Sequence, residues 1–156
     1  MLQFFLRGVA PLLLAVGASG AAAHDYRVGA MKIDHPVIRV ASPAAKTGAG
    51  FLTIANTGRT ADRLLSVTTA AAARSDLHGT VNSGGVMQMR AQAGGVPVPA
   101  GGTVTLQPGG LHVMFIGLKQ AMPAGTMVDA VLRFEKAGNV AVKFKAEGAA
   151  DAAHHH

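Results

Sequence analysis

The stretch MVDAVLRFEKAGNVAVKFKA, residues 127–146, decides the fold class. In its second half Val142 and Phe144 alternate with lysines, and in its first half Leu132 and Phe134 alternate with charged residues in the same way. Such alternation places apolar side chains on one face of a strand and charged ones on the other. The turn-forming segment KAGN separates the halves. The stretch therefore predicts two half-buried strands joined by a turn.

Short strands and turns continue along the rest of the chain. Apolar runs of strand length are separated by NTGR, NSGG, PAGG, QPGG and MPAG, which all combine turn-forming residues. Helical periodicity is nearly absent, and TTAAAARS, residues 68–75, is predicted to be a crossing between strands. No break divides the chain and no internal repeat is visible. Many short strands at this spacing predict one all-β domain, an antiparallel sandwich or barrel.

The amino-terminal segment MLQFFLRGVAPLLLAVGASGAAA, residues 1–23, predicts a secretory signal peptide. Arg7 precedes an apolar run too short to span a bilayer, and an A-x-A cleavage pattern ends at Ala23. An uncleaved membrane anchor is the alternative. Cleavage would leave one domain, residues 24–147, without stable membrane insertion, and a small polar tail, residues 148–156, that is expected to be flexible.

The composition excludes several classes of chemistry. The chain contains no cysteine, so a cysteine nucleophile, an iron–sulfur cluster and a blue-copper thiolate are all excluded. Lys and Arg number 14 against 8 Asp and Glu, which can steer the protein toward an acidic partner or an anionic membrane surface. The basic residues form no run, and Tyr26 is the only Trp or Tyr. Nucleic-acid binding is therefore not expected.

An imidazole and a thioether lie two residues apart in LHVMFIGL, residues 111–118. Strand alternation puts Val113 and Phe115 on the core side and His112 and Met114 on the opposite face, which we expect to be the outer face or the strand end. By itself the pair is weak evidence for a ligand site. A structural histidine and a gap-filling methionine are the alternative.

A second histidine and two more methionines lie in DLHGTVNSGGVMQMR, residues 76–90, which predicts a hairpin turning at VNSGG. His78 precedes the turn, and Met87 and Met89 follow it on one face, so alternation cannot choose between these methionines. If the hairpin packs beside residues 111–118, two histidines converge with two or three methionines. Thioether sulfur is soft and selects Cu(I) or Ag(I) over zinc, calcium or magnesium. It also suits an oxidising compartment, where cysteine is at risk.

The spacing of these residues resembles the motif of the periplasmic copper chaperone family called PCuAC, in which a His and a Met precede H-x-M. Ten residues separate His78 from Met89, and twenty-two separate Met89 from His112. Further stretches are similar to family blocks, and they cover most of the predicted domain: HDYRVGAMKIDHPVIR, GAGFLTIANTG, ADRLLSV, GGVMQMR, VPAGGTVTLQPGGLHVMFIGLKQ and LRFEKAGNVAV.

The resemblance implies a cupredoxin-like Greek-key β-sandwich whose Cu(I) ligands are His78, Met89, His112 and Met114, with Met87 only a neighbour. It implies a periplasmic metallochaperone, not an enzyme, that delivers copper to the CuA-bearing subunit of cytochrome c oxidase with help from a Sco-type thioredoxin-like chaperone. A monomer is expected. One departure from the family is the lack of a methionine after His78.

The chain ends supply candidates for a secondary Cu(II) site. After cleavage His24 would present an α-amine and an imidazole, nitrogen ligands that suit Cu(II), although a flexible first residue is the alternative. Many family members carry a long tail rich in His and Met, whereas this chain has three terminal histidines. They are either a short Cu(II)-binding tail or the remnant of a purification tag: His154, His155 and His156.

Three other functions are alternatives to copper delivery for a protein with these histidines and methionines. Sequestration of excess copper would use the same four ligands. A copper oxidase would need His24 as an amino-terminal brace, but two further nitrogen ligands for it are not evident. A β-sandwich interaction module with incidental His and Met is the third, because folds of this class host many functions.

Overall fold

The computed structural model describes residues 25–148, which form strands and turns. No helix in this range is long and apolar enough to cross a membrane. The predicted leader, His24 and the histidines of the tail lie outside the described residues. The strands are β1 (Asp25–Val28), β2 (Met31–Arg39), β3 (Thr47–Asn56), β4 (Asp62–Thr68), β5 (Ala72–Ser83), β6 (Val86–Ala91), β7 (Val96–Val98), β8 (Thr103–Leu106), β9 (His112–Leu118), β10 (Met127–Phe134) and β11 (Gly138–Glu147).

The strands pair into one continuous sheet in the order β6-β5-β9-β3-β2-β11-β10-β4-β7, with β1 added to β2 and β8 to β3. The predicted all-β class is confirmed. The expected antiparallel pairing holds except between β2 and β11, which run parallel. A parallel pair needs a long crossover connection, and most of the domain lies between these two strands.

The sheet curls over on itself around the core. The rings of Phe115 in β9 and Phe144 in β11 meet edge-to-face with centroids 5.3 Å apart, although β3 and β2 lie between their strands in the sheet order. The backbone at Gly50 in β3 allows this approach. A Cβ built there would lie 2.7 Å from the Phe115 ring and 3.2 Å from the Phe144 ring. The core thus closes over a glycine that leaves room for two aromatic rings.

The hairpin of β10 and β11 has the alternation predicted for residues 127–146. The four predicted core side chains are at most 2% exposed: Leu132, Phe134, Val142 and Phe144. Charged residues alternate with them along each strand, and the two strands pair in register from Met127 opposite Lys145 to Phe134 opposite Gly138. The predicted pair of half-buried strands is confirmed.

A buried carboxylate fastens the turn of this hairpin to β4. Asp62, which is 8% exposed, accepts hydrogen bonds from the backbone N–H groups of Arg63 (2.7 Å), Lys136 (2.9 Å) and Ala137 (2.9 Å). Burial raises the pKa of Asp62, but these three donors outweigh it and hold the pKa below its ordinary value of 3.8. The ionised carboxylate therefore stabilises the junction.

The crossing predicted over residues 68–75 is shorter than expected. Only Thr69–Ala71 connect the strands, because β5 already begins at Ala72, which pairs with Leu118 of β9. The prediction was wrong for Thr68, which ends β4, and for residues 72–75. Alanine has low β propensity, but pairing along β9 overrides it.

Candidate metal centre

The hairpin of β5 and β6 carries two of the four predicted ligands. Its two-residue turn consists of Gly84 and Gly85, with φ of 61° and 85°. Positive φ at both central positions is what a type I′ hairpin turn requires, and its twist matches that of the strands. The side chain of Asn82 accepts a hydrogen bond of 2.9 Å from the Gly85 N–H. The predicted hairpin is confirmed, and every residue of β6 is exposed at the sheet edge.

Strand register places all four predicted ligands on one face of β6, β5 and β9. His78 lies directly opposite His112 in the antiparallel pair of β5 and β9. Met114 follows His112 by two residues, so it shares that face. On the other side of β5, Met89 lies opposite Thr80, which is two residues from His78. The juxtaposition of the hairpin and residues 111–118, on which the convergence of these residues depended, is present.

The two imidazoles are in contact at the centre of this face. Their ring centroids are 5.7 Å apart and their planes cross at 82°. His112 is only 7% exposed. Of the two predicted locations, the outer face and the strand end, His112 has the second, since β9 begins at this residue. It is not on an outer surface, because the ring of His78 on the neighbouring strand β5 packs against it.

A backbone carbonyl determines which nitrogen of His112 is free. The Nδ1 atom of His112 lies 3.0 Å from the carbonyl oxygen of Gly110. A carbonyl only accepts hydrogen bonds, so Nδ1 carries the proton and donates it. The neutral ring then has its lone pair on Nε2. Metal-binding histidines commonly have this kind of second interaction, which orients the ring and raises its basicity.

His78, whose ring packs against that of His112, has an unsatisfied nitrogen. Among the described residues, the Nδ1 atom of His78 is the one buried side-chain nitrogen or oxygen without a hydrogen-bond partner. An unpaired buried polar atom destabilises the fold by about 1–3 kcal/mol. A bound metal ion would satisfy it, so the nitrogen chemistry of the site fits a metal.

The two methionine ligands differ in burial. Met114 is half-buried beside His112, whereas Met89 is 59% exposed on the edge strand. Met89 is a diagonal neighbour of His78, since the residue directly opposite His78 is Ala91. Diagonal neighbours lie about 7–8 Å apart, within reach of a long side chain. Met89 is therefore the outermost of the four predicted ligands.

Carboxylates do not join the two histidines to form a metal site in residues 25–148. Residues 25–148 contain no group of three or more His, Cys, Asp and Glu arranged to hold a metal ion. One carboxylate, that of Asp76, lies opposite Met114, but it is ion-paired with Arg74 at 3.2 Å. Any site with four ligands on this face would need the thioethers, which favour a soft ion.

A family model described as "Putative lipoprotein LpqE-like" matches residues 31–146, most of the chain. The chain belongs to the LpqE-like family. A protein of Leifsonia xyli subsp. xyli, described as "Putative lipoprotein Lxx21020", is 33% identical over 135 residues, covering 83% of this chain and 81% of that protein. The description suggests an exported protein.

Solved structures similar to this LpqE-like chain include PCuAC domains, and the resemblance to PCuAC is confirmed. The apo PCuAC domain from PmoF1 is 28% identical with a TM-score of 0.68, and the copper-bound domain from PmoF2 is 28% identical with 0.67. Each alignment covers 80% of this chain and 99% or 98% of the domain. The CuI form of DR1885 from Deinococcus radiodurans is 27% identical, with a TM-score of 0.58 over 84% of both chains. The predicted cupredoxin-like sandwich is confirmed.

Sequence reasoning missed the contribution of Gly110 to this LpqE-like fold. Its carbonyl holds His112 by a contact within a turn, and Thr80 of β5 donates a hydrogen bond of 3.5 Å to the same carbonyl. The pair of glycines before Leu111 marks a turn in the sequence, but only the folded backbone shows where the carbonyl of the second glycine points. The secondary Cu(II) ligands at His24 and in the tail stay predictions.

Proposed function

We propose that this protein binds one Cu(I) ion with His78, Met89, His112 and Met114 and passes it to an acceptor by ligand exchange. The observation that carries the proposal is the contact between the two imidazoles, where one nitrogen is buried without a partner and another is left as a free lone pair. The copper-bound forms of the similar PmoF2 and DR1885 structures support copper as the ion.

The donor types favour Cu(I) over Cu(II) at this face. Two thioethers and two neutral imidazoles offer soft and borderline donors with no negative charge. A thioether cannot form a disulfide, so the set tolerates an oxidising compartment better than thiolates would. Copper held in this way stays in one oxidation state, which suits binding and transfer more than redox catalysis. We therefore propose a non-enzymatic role.

The graded exposure of the ligands favours delivery. His112 is nearly buried, Met114 is half-buried and Met89 is exposed. An acceptor can reach the ion from the side of the exposed Met89 and replace the inner ligands one at a time, while Met89 still holds the ion. Exchange in steps avoids releasing free copper. A fully enclosed site would suit storage better.

A Cu(I) competition titration against bathocuproine disulfonate tests the site. The background protein should carry alanine at the terminal candidates His24, His154, His155 and His156, so that only the face of β5, β6 and β9 is measured. It should bind one Cu(I) per chain. His78→Ala, His112→Ala, Met89→Leu and Met114→Leu should each weaken binding by at least about tenfold.

The matched control is Met127→Leu, which removes a thioether that is 40% exposed on β10 in the other hairpin. Its Cu(I) affinity should equal that of the background protein. Equal affinity in all four ligand variants would disprove the site, and absence of competitive Cu(I) binding would disprove the function.

We further propose that the protein acts in the periplasm and that its acceptor is the CuA centre of cytochrome c oxidase, reached with a Sco-type chaperone. The description of its family as lipoproteins supports export. Mixing the Cu(I)-loaded protein with the soluble CuA-bearing domain, with and without the Sco-type protein, should transfer copper, which is measured as the copper content of each protein after separation. Retention of Cu(I) against both partners would favour sequestration.

A further inference from the structure

Two thioethers stand side by side on the exposed edge strand, and the proposed site uses one of them. Met87 and Met89 are 60% and 59% exposed, and they point to the same face of β6 because they are two residues apart. That face also carries His78 on the neighbouring strand. Large apolar side chains at an edge strand risk aggregation. Two of them on the copper-binding face therefore require a reason.

The position of Met87 excludes it as a direct neighbour of the histidine pair. Met87 lies opposite Asn82, Met89 opposite Thr80, and Ala91 opposite His78. Met87 is therefore one alternate position farther from His78 than Met89 is, toward the tip of the hairpin. Residues two apart in a strand are separated by about 6.6 Å, a distance that two flexible methionine side chains can bridge around one ion.

Copper leaving the site must travel outward along this face. His112 lies at the inner end and is 7% exposed, so an acceptor cannot approach the ion from that side. The exposed end is the row formed by Met89 and Met87. The row continues to the hairpin tip, where Gly84 and Gly85 leave the surroundings free of other atoms: a Cβ added at either glycine would meet nothing within 4 Å.

We propose that Met87 is a transfer ligand, which binds Cu(I) only while the ion moves from the resident site to an acceptor; this rests on the proposed function. The Cu–S bond to Met114 and the Cu–N bonds to the histidines break as a Cu–S bond to Met87 and the first bond to the acceptor form. The Cu–S bonds to Met89 and Met87 break last, as further donor atoms of the acceptor bind the ion. The ion remains Cu(I) throughout, and no electron is exchanged. All the protein donors are neutral, so the single positive charge leaves with the ion.

Substitution of Met87 should change the rate of Cu(I) transfer without changing the affinity for Cu(I). In the background protein, Met87→Leu keeps the size and apolar character of the side chain and removes the sulfur. The rate of Cu(I) transfer to bathocuproine disulfonate, measured by anaerobic stopped-flow absorbance, should fall by about tenfold. The equilibrium affinity for Cu(I) should stay within about twofold of the parent. Met89→Leu should instead lower the affinity itself.

The matched control is Val86→Ala, a change on the same strand but on its other face at a residue that is 58% exposed. It should leave both rate and affinity unchanged, and circular dichroism should show each variant folded. Transfer at the parental rate by Met87→Leu overturns the inference. So does a loss of affinity equal to that of Met89→Leu, which would make Met87 a resident ligand. If the parent itself binds no Cu(I), the proposed function fails first.

Discussion

Two hairpins of this domain, each made of two antiparallel strands and a tight turn, differ in how far they bury their apolar residues. In the hairpin of β10 and β11, apolar residues of the inner face such as Leu132 and Phe144 are buried, and the outer face carries charged residues together with Met127 and Val131. In the hairpin of β5 and β6, the edge strand is exposed at every position, including Val86, Met87 and Met89. The first hairpin stabilises the fold, whereas the second presents side chains to whatever approaches it.

The two hairpins also differ in how firmly their turns are held, so one part of the sheet stabilises the fold and another part carries the proposed ligands. The turn of β10 and β11 is held by three hydrogen bonds to a buried carboxylate, and its strands supply much of the core. The turn of β5 and β6 has one local hydrogen bond between a side chain and the backbone. Regions with few buried apolar contacts open most easily, and ligand-binding segments are commonly drawn from them. Beyond His78 the two strands of the methionine hairpin pair only with each other, so this part should open more easily than the β10–β11 hairpin.

The largest expected effect is a core truncation in the stabilising hairpin. Phe144→Ala removes the ring that meets Phe115 edge-to-face and should lower the free energy of unfolding by about 3–5 kcal/mol. Val86→Ala in the exposed hairpin removes an apolar side chain that contacts little and should change it by less than about 0.5 kcal/mol. Urea denaturation followed by circular dichroism measures both. Similar losses in the two variants would contradict the division between the hairpins.

The next effect concerns the carboxylate beneath the β10–β11 turn. Asp62→Asn leaves one acceptor oxygen for three N–H donors and should lower the free energy of unfolding by about 1–3 kcal/mol at pH 7. The folded-state pKa of Asp62 lies below 3.8, so its contribution is complete above that pH and is lost as the pH falls through the folded pKa.

Urea midpoints of the native protein and Asp62→Asn should therefore converge as the pH falls below about 3.8, where the native carboxyl also becomes protonated. Asparagine has the same shape as aspartate, so the comparison of the two proteins changes the charge of residue 62 and leaves the packing around it unchanged. A gap between the two proteins that stays constant down to pH 2 would show that the charge of Asp62 contributes nothing.

The smallest change in the free energy of unfolding is expected for a substitution on the copper-binding face of β5, β6 and β9, and this substitution should not destabilise the protein. His78→Leu removes a buried nitrogen without a partner, so the copper-free protein should be unchanged or gain up to about 1 kcal/mol of stability. Thermal unfolding of the copper-free protein, with and without added Cu(I), separates the two roles. The variant should lose the stabilisation by Cu(I) that the native protein gains. A marked destabilisation without copper would identify His78 as a structural residue instead.

The sequence by itself determined the fold class and the candidate residues. Apolar and charged residues alternate in residues 132–135 and 142–145 because one face of each strand meets the core and the other meets water, and this pattern is visible without a structure. The spacing of His78, Met89 and H-x-M was specific enough to indicate the PCuAC resemblance. The pair of glycines in the β5–β6 turn was equally readable, because few other residues adopt positive φ at both positions.

Only the tertiary structure decided how these residues meet. The pairing of β5 with β9 joins strands from distant parts of the chain, so no local pattern specifies that His78 lies opposite His112. The burial of His112 against His78 follows from that register, whereas the hydrogen bond from its Nδ1 to Gly110 depends on how the preceding turn folds. The separate positions of Met87 and Met89 relative to His78 follow from the neighbouring register of β6. Register is a long-range property of a sheet, whereas alternation is local, and this is why the ligand types were visible in the sequence and their arrangement was not.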